Sequence, residues 1–467
     1  MSLAIPDAGS FRDPNGRIYQ RSGEIFRSVM GRAADEFASF RESGLFDRLV
    51  EKGKLVPTRE VDAAVLGTLA TDPSMVLQHE RLPFISYPYE WSFPLLKAAA
   101  ILHLTVQLEA LEAGFSLSDS TAYNVQFDGV KPVFIDVLSF RTYQEGEVWA
   151  GHRQFCEQFL NPLLLRALFG IPHNSWFRGS LEGIDTVSLA RMMPWWRNLS
   201  FNVLSHVTMQ AKLQSTAIVD NGKSVARAKA VKLSKVGYQR MLQSLRDWIK
   251  GLNPKDTGAT VWQHYAETTT YDSEEQQAKK RFVAEFCSQV KPKLLWDIGC
   301  NTGDYSEVAL ASGAARVIGF DFDQGALERA YARAKAKSLK FLPLFQDGAN
   351  PSPNQGWANQ ERKSLAKRGD ANGLLALAFE HHLAIGRNIP LDGVVASLVD
   401  LAPTGVIEFV QKQDPTVQQL LALRDDIFPD YTPEAFEAAL ASRARIVKSE
   451  TVSASGRRLY WFDRISG

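Results

Sequence analysis

Residues 294–305 read LLWDIGCNTGDY. An apolar run ends at Asp297-Ile298, Gly299 and Gly303 stand four residues apart, and helical spacing begins near Tyr305. That pattern predicts a strand, a tight turn and a helix start. In open parallel sheets, ligands lie over such turns, outside the carboxyl ends of the strands. Glycine lets the backbone approach a ligand with no Cβ in the way. The spacing D-x-G-x-x-x-G meets neither the dinucleotide fingerprint G-x-G-x-x-G nor the phosphate loop G-x-x-x-x-G-K-[ST]. Asp297 suits a ligand with a cationic amine and would repel a pyrophosphate.

Working outward, strands and helices alternate. A helix from Glu274 to Val290 precedes the quoted strand, and RVIGFDFD (316–323) is the next strand. A helix from Gly325 to Ala336 leads to LKFLPLFQD (339–347), GLLALAF (373–379) with a His-containing helix after it, and TGVIEFV (404–410). PEAFEAALAS (433–442) is helical, and IVKSETV with RRLYWFDR closes the chain as a hairpin around Ala454-Ser455-Gly456. Such alternation predicts a parallel sheet covered on both faces.

Three polar groups fall in register at the ends of the first three strands. Asp297, Gly299, Asn301 and Gly303 form the loop. Asp321, about twenty residues on, can accept hydrogen bonds from both hydroxyls of a ribose. Asp347 can accept from an adenine amino group. This constellation resembles the class I S-adenosylmethionine-dependent methyltransferases. The resemblance covers about 260–467 and implies a seven-stranded Rossmann-like sheet whose last strand is antiparallel, with S-adenosyl-L-methionine as cofactor. GCNTGDYS, DGANPSPNQGW, HHLAIGRNIPL and DDIFPDYT look more narrowly like a bacterial group related to host-specific nodulation methyltransferase-like proteins.

Methyl transfer needs an acceptor held in line with the sulfonium, often beside a proton acceptor. The fourth strand runs into Glu380-His381-His382, so His382 and then His381 are the candidate bases. Trp357, Arg387 and Asn354 are expected on loops at the same end of the sheet, lining the acceptor pocket. An aromatic run, Val261 to Ala266 with Tyr271, resembles segments that fold over the cofactor in similar enzymes. Two vicinal histidines without further Cys or His nearby make a poor metal site, and no metal is expected.

The front half is organised differently. RIYQRSGEIFRSV (17–29) reads as a hairpin turning at Ser22-Gly23, followed by a helical run from about Arg32 to Glu51. FISYPYEW (84–91) looks like an aromatic strand, and a helix runs from Pro94 to Ala113, closed by Gly114. YNVQF and KPVFID form a hairpin at Asp128-Gly129. Residues 141–250 read as mostly helical. Asp119 and Asn124, with Asp136 after the hairpin, are spaced like the catalytic-loop Asp and Asn and the metal-binding Asp of a kinase. The stretch 113–140 resembles that part of a protein kinase in degenerate form. No Gly-rich loop precedes it, Leu117-Ser118 replaces His-Arg, and Lys52 and Lys54 are candidates for the strand lysine by position alone. Asp119, Asn124 and Asp136 are therefore expected to position a substrate. The basic stretch NGKSVARAKAVKLSK (221–235) reads as a solvated loop and helix start rather than an anion patch.

The remaining bounds are compositional. The chain has 467 residues, enough for two or three domains. Lys and Arg number 53 against 52 Asp and Glu, which argues against a general nucleic-acid binder. Cys156, Cys287 and Cys300 are scattered and lack CxxC spacing, which argues against a disulfide framework or a structural zinc site. The apolar stretch from Phe93 is broken by Lys97, His103 and Glu109, so no membrane span is expected, and the N-terminus does not read as a signal peptide.

The expectation is a cytoplasmic α/β enzyme of two parts. Residues 1–255 form an α+β, kinase-like and helical acceptor-recognition region. Residues 256–467 bind S-adenosyl-L-methionine and methylate a small-molecule or saccharide-type acceptor. The rivals are a bifunctional enzyme that also transfers phosphate, and a non-catalytic interaction protein on the same scaffold. Acceptor and oligomeric state are not legible in the sequence.

Overall fold

The computed structural model describes residues 4–69, 73–219, 232–255, 273–422 and 424–465. The aromatic run 261–271 and most of the basic stretch 221–235 lie outside them. The chain divides into two compact units, Met1–Thr257 with Asn354–Lys363, and Gly258–Pro353 with Ser364–Gly467.

The second unit is built on β10 (Leu295–Ile298), β11 (Val317–Asp321), β12 (Phe341–Phe345), β13 (Gly373–Ala376), β14 (Thr404–Phe409), β15 (Ala444–Thr451) and β16 (Arg458–Arg464). Their order is β12-β11-β10-β13-β14-β16-β15. The first five run parallel, and β16 pairs antiparallel with both β14 and β15. This is the seven-stranded sheet with an antiparallel final strand that the resemblance implied. Every residue of β10, β13 and β14 is buried, as expected for strands covered on both faces. Chain order reverses direction across the sheet between β10 and β13, and a ligand crevice opens at such a switch point.

The first unit carries a five-stranded antiparallel sheet, ordered β1-β2-β3-β5-β4. Its strands are β1 (Ile5–Pro6), β2 (Gly16–Arg21), β3 (Glu24–Val29), β4 (Thr58–Val61) and β5 (Met75–His79). Ser22 and Gly23 both take positive φ, the geometry of a two-residue hairpin turn. The run after β3 is two helices, Arg32–Glu42 and Leu45–Glu51, separated by Gly44 in the left-handed region. The helix Phe93–Glu112 meets the length and composition of a membrane span, yet 67% of its apolar window is buried inside the protein. It packs against the helix Lys235–Gly251 and beside the hairpin of β7 (Val125–Asp128) and β8 (Lys131–Phe134).

Residues 84–91 are not the expected strand. Pro88, within the segment, donates no backbone hydrogen bond and disfavours a central strand. The segment forms a short turn at Pro88–Glu90 instead, with Trp91 fully buried. Its backbone is held by a side chain, Ser86 N donating to Gln126 Oε1 at 2.9 Å and Gln126 Nε2 donating to Ser86 O at 2.9 Å.

Candidate functional site

A cavity of about 520 Å³ lies at the carboxyl ends of β10, β11, β12 and β13, entirely within the second unit. Its size is that of a small-molecule or cofactor site. Asp297, Gly299, Asn301, Asp321, Gln346 and His382 all line it.

The loop after β10 is shaped by backbone conformations that favour glycine. Gly299 has φ +77° and Gly303 has φ +80°. A Cβ on Gly303 would sit 2.5 Å from the Phe341 ring, and one on Gly299 would sit 3.1 Å from that of Phe379. Neither position has room for a side chain. Gly299 N and Cys300 N both donate to Phe320 O, at 2.8 and 3.1 Å. Asn301, itself at φ +48°, donates its N–H to Asp321 Oδ2 at 2.8 Å. The loop is thus tied to the end of β11 at three points.

Two carboxyls face this loop, Asp297 buried and Asp321 partly so. Asp297 is 2% exposed and accepts from Ser306 Oγ at 2.6 Å. Burial pushes its carboxyl up to about 7, against the Ser306 hydrogen bond, and the neighbouring Asp321 adds to the rise. Burial likewise raises Asp321 to about 6, although Asp323 N and Asn301 N donate to it. Two acids crowded in a dry site, with so few neutralising partners, favour a ligand that brings positive charge.

At the end of β12 the side chain that lines the cavity is Gln346, not Asp347. Gln346 is buried, accepts from Ser352 Oγ at 3.1 Å through Oε1, and has no partner for its Nε2 among the described residues. Asp347 instead accepts from Ala349 N at 3.0 Å and faces Arg387, 3.8 Å away and half exposed. Successive strand residues point to opposite sides, so a one-residue shift exchanges the cavity for the rim. Arg387 does not line the cavity either. Trp357 sits in the 354–363 segment that belongs to the first unit, with 71% of its surface exposed.

The two histidines part company. His381 is fully buried, does not line the cavity, and sets Nδ1 3.3 Å from Glu380 Oε2. Burial drives it down to about 3, so it stays neutral and inaccessible. Glu380 is in turn buried and accepts from Val410 N at 2.9 Å and from the Tyr431 hydroxyl at 2.8 Å. His382 does line the cavity, and burial, then His381, holds it well below the usual imidazole range. It is a neutral imidazole at physiological pH, fit to accept a hydrogen bond and a weak base.

Beside His382 the cavity is lined by groups that sequence reading missed: Lys279, Glu408, Gln276 and Ser397. Lys279 Nζ lies 2.6 Å from Glu408 Oε1, and both residues are at most 1% exposed. Arg457 approaches Glu408 at 3.7 Å and holds Asp414 at 2.7 Å. The available signal was a glutamate inside an otherwise apolar strand, TGVIEFV. A buried carboxyl is held by hydrogen bonds or by a cation, and for Glu408 the partner is the buried Lys279.

In the first unit, Asp119, Asn124 and Asp136 occupy one neighbourhood. Asn124 Nδ2 and Ser139 Oγ donate to Asp119 Oδ1 at 3.0 and 3.1 Å. Burial, then the charge of Asp136, raises Asp119 to about 6. Asp136 is committed elsewhere. Its Oδ1 accepts from Arg27 at 2.7 Å, and Arg27 also bridges to Asp13. Lys52 and Lys54, at the end of a helix rather than on a strand, both pair with Glu109.

The chain is 46% identical over 457 residues to nodulation protein NoeA of Rhizobium meliloti (strain 1021), covering 98% of this chain and 96% of that one. No protein-family model matches. Among solved structures, magnesium protoporphyrin IX methyltransferase (ChlM) from Synechocystis PCC 6803 with bound SAM is similar over 45% of this chain and 87% of its own. The identity there is 16% and the TM-score 0.30. N-methyltransferase NodS from Bradyrhizobium japonicum WM9 is similar over 42% and 99%, with 14% identity and a TM-score of 0.30.

Proposed function

This chain belongs to the family of nodulation protein NoeA, and we propose that it is an S-adenosylmethionine-dependent methyltransferase acting on a small hydroxylated, saccharide-type acceptor. One observation carries the reading: the glycine loop after β10, Asp321 after β11 and Gln346 after β12 face one cavity. The residues fit the cofactor. Gly299 lines the cavity, and Gly303, at φ +80°, turns the chain into the following helix against the Phe341 ring. In this reading Asp297 receives the amine, Asp321 the ribose hydroxyls, and Gln346 Nε2 donates to a ring nitrogen of the adenine. When bound, the cofactor supplies an electrophilic methyl on a sulfonium.

The remaining lining is the acceptor's. His382, Ser397 and Gln276 offer hydrogen bonds to hydroxyls, and the Lys279–Glu408 pair fixes a charge arrangement without a long mobile side chain. In this reading His382 orients the acceptor and takes a weak hydrogen bond from the reacting hydroxyl, and positioning provides most of the rate.

The direct test is calorimetric titration of the full chain with S-adenosylhomocysteine. Micromolar binding in wild type that is lost in Asp321→Ala supports the reading, and no binding to wild type refutes it.

A further inference from the structure

The helical part of the first unit holds a second chemical cluster. His152 and Cys156 are four residues apart on one helix, so their side chains share a face. His206 comes to them from 50 residues further along. His152 Nε2 lies 2.9 Å from His206 Nδ1 and 3.6 Å from Cys156 Sγ, and the three ligand atoms lie within 4.8 Å of one another. Cys156 and His206 are buried, and His152 is partly so.

We propose that His152, Cys156 and His206 form a zinc site, with a water as fourth ligand on the side where His152 meets solvent. The geometry is close to what the ion requires. A tetrahedral zinc holds a nitrogen and a sulfur ligand about 3.5 Å apart and two nitrogens about 3.3 Å apart. His152 and Cys156 hold the first spacing, the two nitrogens need to part by a few tenths of an ångström, and Cys156 Sγ lies within 4.8 Å of the His206 ligand atom. The donor set, two imidazoles and a thiolate, is the set zinc prefers over calcium or magnesium.

Two further features point the same way. The other ring nitrogen of His152, Nδ1, lies 2.7 Å from the Gln210 amide. Amide nitrogen and oxygen are exchanged by a simple flip. With its oxygen turned inward, Gln210 accepts from Nδ1–H and leaves Nε2 free to ligate, the outer contact that metal-bound histidines almost always make. Cys156 opens one π-helical turn, Cys156–Leu160, and His206 sits within another, Leu204–Thr208. Such turns are rare and cluster at functional sites. Both imidazoles ligate in their neutral form. The burial of Cys156 disfavours its thiolate. A cation removes that cost, and binding releases one proton, from Cys156, to solvent. The site would tie the helix start at 152–160 to the turn at 204–208. It is independent of methyl transfer.

The test is metal analysis of the full chain, purified without a histidine tag, followed by cobalt titration of the chelated protein. Equimolar zinc, and a thiolate-to-cobalt charge-transfer band on titration, are expected in wild type. Cys156→Ala and His206→Asn should each lose the band while keeping the wild-type circular dichroism spectrum. Chelation should lower the melting temperature of wild type and not of Cys156→Ala. Wild type that carries no zinc above background and gives no band, or a band that survives in Cys156→Ala, would overturn the proposal.

Discussion

The backbone N–H of Asn301, at the tip of the glycine loop, donates to Oδ2 of Asp321 at 2.8 Å. Asp321 is therefore a brace for the loop as well as the candidate ribose acid. Its replacement acts twice. Asp321→Ala should weaken S-adenosylhomocysteine by about 1–3 kcal/mol through lost hydrogen bonds to the ligand. It should also lower the melting temperature of the free protein, because Asn301 N and Asp323 N lose their acceptor. Calorimetry and thermal melting read the two effects separately. Unchanged affinity with lowered stability would leave Asp321 as a brace alone.

Gly303→Ala should be more severe than its size suggests. The φ of +80° is costly for a residue with a Cβ, and that Cβ would meet the Phe341 ring at 2.5 Å. We expect a loss of about 1–3 kcal/mol in stability, measured by denaturant unfolding, with cofactor affinity falling alongside. A variant as stable as wild type would show that the loop can relax without cost.

His381 and His382 should give different phenotypes despite adjacency. His381→Ala leaves a hole beside the buried Glu380 and should reduce stability. His382→Ala should reduce kcat with little change in cofactor affinity. Because His382 is held well below the usual imidazole range, the rate should show no ionisation near pH 6.5 belonging to it. A pH–rate profile that loses such an ionisation in His382→Ala would make it a true general base.

His103 predicts acid sensitivity of the first unit. It is fully buried among Phe134, Phe155 and Phe159, and neither ring nitrogen has a partner among the described residues. Burial lowers it to about 3. A histidine with a depressed folded value binds more protons when unfolded, so its contribution is full above about pH 6.5 and falls as the pH drops toward 3. Between pH 6.5 and 5 this amounts to about 2 kcal/mol. His103→Leu should flatten that part of the stability–pH curve, and an unchanged curve would assign the acid sensitivity elsewhere.

Magnesium-dependent ATP turnover is not expected of the full chain. A kinase uses the residue in the place of Asp136 to hold magnesium, and here Arg27 occupies that carboxylate at 2.7 Å. Asp136→Ala should therefore destabilise the first unit, by leaving the largely buried Arg27 with Asp13 as its remaining partner, and should spare S-adenosylhomocysteine binding. ATP turnover that disappears in Asp136→Ala would restore the bifunctional reading.

The amino-acid sequence by itself determined the seven-stranded sheet and the end of it at which the cavity lies. Strand period, strand–helix alternation and the loop at 297–303 are local signals, and burial on both faces makes them strong. The hairpin at Ser22-Gly23 was equally legible, and the one expected at Asp128-Gly129 turns one residue later, at Gly129-Val130, because Asp128 still pairs with Lys131. Only the tertiary structure decided which side chain at a strand end enters the cavity. Gln346 and Asp347 are adjacent, and the pleat sends one inward and the other to the rim. It also decided that Glu408 meets Lys279, that Arg27 claims Asp136, that Cys156 meets His206, and that residues 354–363 join the first unit. Each of these joins positions at least 50 residues apart in sequence, and no local pattern encodes a contact made by packing one element against another.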